Sequence, residues 1–162
     1  MKKITVFILA VLFCSSALAA KKSKIMKVPA GSNVPSLGMA LDADYDASLD
    51  HLVPGYKILT VAIANNSIDI IQMNPEQDKW IVVDGRGTKH TAVINLRVED
   101  NKTFTSLPAG LRKKLEYPLI VQVGDTKHID LLLNDNVKLD GFRAVRYTVA
   151  GSNQTIEIVA QE

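Results

Sequence analysis

Four aspartates stand close together in the chain: Asp42, Asp44, Asp46 and Asp50. Alternating carboxylates, with one more four residues on, can offer hard oxygen ligands to Ca²⁺. An EF-hand loop is excluded, because its sixth position needs glycine and its twelfth glutamate, and the residues there are Ala47 and Val53. What survives is a looser calcium site at a sheet edge. The competing reading is a solvated acidic edge that discourages strands of other molecules from pairing there. Calcium through Asp42, Asp44, Asp46 and Asp50 is the one cofactor the residue types suggest.

Other chemistries find less support. His51, His90 and His128 are far apart, and none has a local ligand spacing such as H-x-H or H-E-x-x-H. No G-x-S-x-G is present, and the serines fall in turns or caps. Asp84-Gly85-Arg86-Gly87 lacks the Lys-Ser/Thr and helix of a phosphate loop and reads as a hairpin turn. No acid–base pair can be nominated, so a non-enzymatic protein is expected. Trp80, the single tryptophan, reads as a core anchor, with an exposed stacking ring as the alternative. Asn65, Asn101 and Asn153 each begin an Asn-x-Ser/Thr sequon, read here as turn chemistry.

The elements that must position these residues are mostly strands. Tyr56 to Ala64 alternates Leu59, Val61 and Ile63 with Tyr56, Ile58, Thr60, Ala62 and Ala64, which predicts a central strand covered on both sides. Leu37, Met39 and Leu41 predict a strand before it, within Val34 to Asp50. Asn65-Asn66-Ser67 breaks the central strand, and Ile68, Ile70 and Met73 follow with further alternation. Trp80 to Val83 and Thr88 to Leu96 flank the glycine turn. Leu119 to Val123, His128 to Leu133, Gly141 to Val149 and Thr155 to Val159 complete the strand pattern, with Gly151-Ser152-Asn153 turning into the last. Leu107, Leu111 and Leu115, four apart, predict one amphipathic helix over Ser106 to Glu116, capped by Ser106 with Pro108 in its first turn. It is expected to cap an open end of the fold. Seven to nine short strands with one inserted helix predict an all-β, two-sheet antiparallel sandwich.

YKILTVAIANNS followed by KWIVVDGRGTKH, and the later VKLDGFRAVRYTVAGSNQTIEIV, resemble small exported bacterial immunoglobulin-like domains of unknown function. The resemblance covers about Gly55 to Val159. It implies an immunoglobulin-like sandwich in the cell envelope and carries over no catalytic residue. Many such domains follow a lipobox, of which this chain has no good copy.

The N-terminus supports export. Lys2 and Lys3, the apolar run Ile4 to Phe13 and the small residues through Ala17-Leu18-Ala19-Ala20 read as a signal peptide over residues 1–20, cut near Ala19 or Ala20. Lipid anchoring at Cys14 is disfavoured, since Phe13 is bulky where a small residue is needed and Cys14 lies inside the apolar run. Residues 21–33 read as a basic tail, with Lys21, Lys22, Lys24 and Lys27, and residues 34–162 as one domain. Removing the leader takes two of 19 basic residues and leaves 17 against 17 acidic ones. A neutral chain gives no general electrostatic case for nucleic acid. It also loses its only cysteine, so thiol chemistry is excluded and the core alone must hold the fold. No transmembrane segment is expected after cleavage. The expected protein is periplasmic or secreted. It binds an envelope protein or surface polymer by a strand edge or an end loop, or alternatively holds a metal at the aspartates.

Overall fold

The computed structural model describes residues 38–150 and 155–159. The expected signal peptide with Cys14, the expected basic tail, the first residues of the expected opening strand and the expected turn at Gly151-Ser152-Asn153 lie outside the described residues.

The chain is mostly β and its sheets are antiparallel. A three-stranded sheet has the order β1 (Met39–Tyr45), β2 (Tyr56–Asn65), β7 (Thr126–Asn134). A four-stranded sheet has the order β5 (Lys89–Thr91), β4 (Lys79–Val83), β8 (Ala144–Thr148), β9 (Thr155–Val159). A small ribbon pairs β3 (Ile71–Gln72) with β6 (Ile120–Val121).

Alternation along β2 decides the layering. Leu59, Val61 and Ile63 are fully buried and face inward with Leu41 and Ala43 of β1 and Ile129, Leu131 and Leu133 of β7. They share one core with Trp80 and Val82 of β4, Val145 and Tyr147 of β8, and Ile156 and Ile158 of β9. Burial of such side chains contributes roughly 1.5–3 kcal/mol each. Trp80 takes the core role: it is buried and stacks on Tyr147 with ring centroids 4.4 Å apart. Its indole N–H donates to the Tyr117 hydroxyl (2.9 Å), which donates to Asp78 Oδ2 (2.8 Å). Burial pushes the Tyr117 phenol well above its ordinary value, so it stays a donor. Asp78 also accepts the backbone N–H groups of Asn74 and Ala150, which ties three segments to one buried carboxylate.

The other face of β2 carries Ile58, paired in register with Leu132 of β7. A second core cluster forms there with Val53, Leu96, Leu107 and Leu115. Its cover is helical: α1 (Leu96–Glu99), α2 (Asn101–Ser106) and α3 (Ala109–Lys114). Where one helix was expected, three short ones stand, and they lie on a sheet face instead of an open end. The expected cap also moves. Pro108 occupies the N-cap of α3, while Ser106 closes α2 and donates its hydroxyl to Thr103 O. Asp100 caps α2 by accepting the Thr103 N–H, a signal hidden inside a polar run. The strand expected over Thr88 to Leu96 shortens to Lys89–Thr91, because Leu96 turns into the helical layer.

The Asp84-Gly85-Arg86-Gly87 turn forms as expected, with two different uses of glycine. Gly87 has φ +88°, while a side chain at Gly85 would press on the Asp140 carbonyl. Asp84 is fully buried and accepts from His90 Nε2 (3.1 Å) and from the Arg86 and Thr88 backbone N–H groups (2.9 Å each). The His90 contact, then these amides, hold its carboxyl down to about 2 against the cost of burial. A carboxylate lowered in the folded state stabilises it above the unfolded value, near pH 4, and loses that contribution as pH falls towards 2. Urea unfolding across pH 4 to 2 should therefore show a steep stability loss in the wild type and a shallower one in Asp84→Asn. Asp100 and Asp125, held low by Thr103 and Lys127, supply the slope that remains. Equal slopes in the two proteins would refute this role for Asp84.

Candidate functional site

Asp42 and Asp44 project from the outward face of β1, opposite Ala62 and Thr60 of β2. Asp42 Oδ1 also accepts the Ala43 N–H (2.9 Å), which occupies a donor on this edge strand. Asp46 caps a 3-10 turn at Ala47–Leu49 by accepting the Ser48 N–H (3.1 Å) and Ser48 hydroxyl (2.7 Å). Asp50 Oδ2 accepts from the Tyr45 hydroxyl (2.7 Å). Burial, and then Asp50, push that phenol above its ordinary value.

Asp42, Asp44 and Asp46 line one shallow hollow of about 260 Å³ with Thr60 and His128; Asp50 is not among its walls. No three His, Cys, Asp or Glu side chains among the described residues stand close enough together to hold a metal ion. The histidines stay separate. His90 is held by Asp84, while His51 and His128 are exposed.

A second surface was legible only in part. Ile68, Ile70, Leu119, Ile120 and Val123 are all exposed, Ile68 at 92%. They fall on the two segments that meet in the β3–β6 ribbon. Ile71 pairs with Val121 and Gln72 with Ile120, and the Met73 N–H donates to Leu119 O (2.9 Å). Val121 and Met73 turn into the core, which leaves the isoleucines outside. Beside the ribbon, Met39, Ile68, Ile70, Ile71 and Val149 line a groove of about 750 Å³ in which Asp69 is the one charged residue among the described residues.

Asn65 holds this surface in place. It is fully buried at the end of β2. Its side-chain N–H groups donate to Asp69 O (2.8 Å) and Val121 O (2.9 Å). Its side-chain oxygen accepts the Ser67 N–H (3.0 Å) and hydroxyl (2.7 Å). Its backbone N–H donates to Asp125 O, and its carbonyl accepts the Gly124 N–H. The sequence reading gave Asn65 only a turn role. The signal available was an asparagine at the end of the most apolar strand, where the chain must leave a core without losing hydrogen bonds.

Comparison with known proteins brings no match to a family model, a curated protein or a solved structure. Among the described residues, no helix is long and apolar enough to cross a membrane.

Two outcomes follow from this geometry. Asn65→Ala strands two carbonyls and the Ser67 donors, and should cost about 2–3 kcal/mol in urea unfolding. Amide exchange should rise first over residues 68–73 and 119–124, and uniform exchange would contradict the anchoring role. For the aspartates, millimolar Ca²⁺ should leave the melting temperature unchanged. A rise in the wild type that vanishes in Asp44→Ala would instead establish a calcium site.

Proposed function

We propose that the protein is a non-enzymatic binding module of the cell envelope, immunoglobulin-like in its architecture, that docks a protein partner on the β3–β6 ribbon. The observation that carries this reading is the gathering of five exposed large apolar residues, Ile68, Ile70, Leu119, Ile120 and Val123, on two paired segments. Single exposed apolar side chains are ordinary, but five on two paired segments favour an interaction surface. A partner that covers them gains roughly 1.5–3 kcal/mol for each isoleucine or leucine removed from water. The ribbon is pinned by the saturated amide of Asn65, so little backbone ordering has to accompany docking.

The immunoglobulin-like reading is supported by two antiparallel sheets with a common core that contains the buried Trp80. Export to the periplasm or beyond is supported by the leader-like residues 1–20. Edge addition at β1 is the weaker alternative, because Asp42 and Asp44 stand on that strand and Asp42 occupies the Ala43 N–H.

Ile70→Glu with Ile120→Glu tests the reading. Both side chains are solvent-facing, so the double variant should keep the wild-type melting temperature to within about 2 °C. Immobilised wild type should retain a defined protein from envelope extract, and the double variant should not. Retention of the same protein by the folded double variant, or of a polymer only, would overturn the ribbon as a protein-docking surface.

A further inference from the structure

The helical layer brings together cations that are scattered in the sequence. Arg97 of α1 and Arg112 and Lys113 of α3 line one hollow of about 630 Å³, together with Asn101, Phe104 and Glu116. None of the three cations has an ion-pair partner within 4 Å among the described residues. The described pairs use Arg86, His90, Lys127 and Arg146 instead. The Arg112 guanidinium sits over the Phe104 ring, 6.0 Å from its centroid. That contact orients one cation in advance and leaves its N–H fork for another partner. Three positive groups face one carboxylate, so the hollow is net cationic although the chain without its leader is neutral.

Like charges in excess of their counter-charges repel, and they are relieved by an anion that bridges them. Two guanidinium forks and an ammonium suit a tetrahedral oxyanion with several acceptor oxygens, which a single carboxylate does not provide. From this geometry we propose that the hollow between α1, α2 and α3 is a binding site for a phosphate-bearing ligand, held by Arg97, Arg112 and Lys113. The site is separate in its residues from the apolar ribbon and does not depend on the docking role proposed for it.

The phosphate can belong to a soluble ligand or to a lipid headgroup, and one set of measurements separates these sources. Inorganic pyrophosphate is titrated into the folded protein at constant ionic strength, followed by ¹H–¹⁵N spectra. Saturable shifts are expected at the amides of residues 97, 101, 104, 112 and 113. Arg97→Gln and Lys113→Gln, both at exposed positions, should each weaken binding about five- to tenfold. Glu116→Gln should strengthen it about twofold or more, an outcome that a loss of folding cannot imitate. In parallel, vesicles of phosphatidylglycerol are compared with vesicles of phosphatidylcholine in sedimentation. Pyrophosphate binding without sedimentation supports the site with a soluble ligand. Sedimentation with phosphatidylglycerol alone, lost in Arg97→Gln, supports it with a lipid headgroup. The proposal is overturned if neither probe binds, or if binding is indifferent to Arg97→Gln, Lys113→Gln and Glu116→Gln.

Discussion

The buried amide of Asn65 is the constraint on which the β3–β6 ribbon and its attachment to the central sheet depend. The most apolar strand in the chain ends there, inside the protein, and the backbone must turn out of the core within two residues. An unpaired buried amide or carbonyl costs on the order of 1–3 kcal/mol. Asn65 meets that demand by bonding in four directions: to Asp69 and Val121 with its N–H groups, and to the N–H and hydroxyl of Ser67 with its oxygen. The bond to Val121 reaches β6, and the bond to Asp69 reaches the approach to β3. One side chain thus fixes both strands of the ribbon relative to the central sheet. The ribbon itself has only two residue pairs, too few to be stable on its own. Its exposed isoleucines stay in place because the polar anchor beneath them is saturated.

The Asp78 network performs the same service at the other side of the core. Tyr117 follows the helical layer, Trp80 is the second residue of β4, and Ala150 follows β8. Burying a carboxylate is unfavourable unless its acceptor capacity is used, and Asp78 uses both oxygens. The helices therefore have two attachments of different kinds. Leu96, Leu107 and Leu115 hold them to Ile58 and Leu132 through apolar contact, which is tolerant of direction. Tyr117 fixes where the chain goes when it leaves them, through hydrogen bonds that are not tolerant.

Much of this framework was legible in the sequence because strand periodicity is a local signal. Leu59, Val61 and Ile63 could be assigned to the core, and Ile58 to a second covered face, from alternation alone. The tight turn at Asp84 was legible for the same reason, since its glycine and aspartate chemistry is contained within four residues. The ribbon was harder. Ile68 and Ile70 alternate with polar residues as core positions do, and periodicity cannot say whether a partner element covers the apolar side. The helices α1 and α2 were missed because their apolar contribution is small, with Leu96 the one buried side chain, and tertiary packing forms them where propensity is weak. Arg97 and Arg112 could not be brought together by any local rule, because their proximity follows from how three short helices fold back on one another.

The outward face of the three-stranded sheet shows how one strand can serve two environments. Along β2 the outward residues run Ile58, Thr60, Ala62 and Ala64, so apolar bulk is concentrated at one end. Ile58 lies opposite Leu132, and the helical layer covers that row. The next row pairs Thr60 with Asp130, and the Thr60 hydroxyl donates to the Asp130 carboxylate at 2.8 Å. Ala62 lies opposite His128 in the row after. Rows on one face are about 7 Å apart, so within two steps the face changes from leucine and isoleucine to threonine, aspartate and histidine. A helix extended over the second row would have to bury Asp130 and exclude water from Asp44 beside it. That desolvation would oppose the small gain from covering Thr60 and Ala62. The boundary of the helical layer is set by the side chains of the sheet beneath it. Of the four aspartates that first suggested a metal site, Asp42 and Asp44 stand on this outward face opposite Ala62 and Thr60, while Asp46 and Asp50 follow the end of β1 around the 3-10 turn.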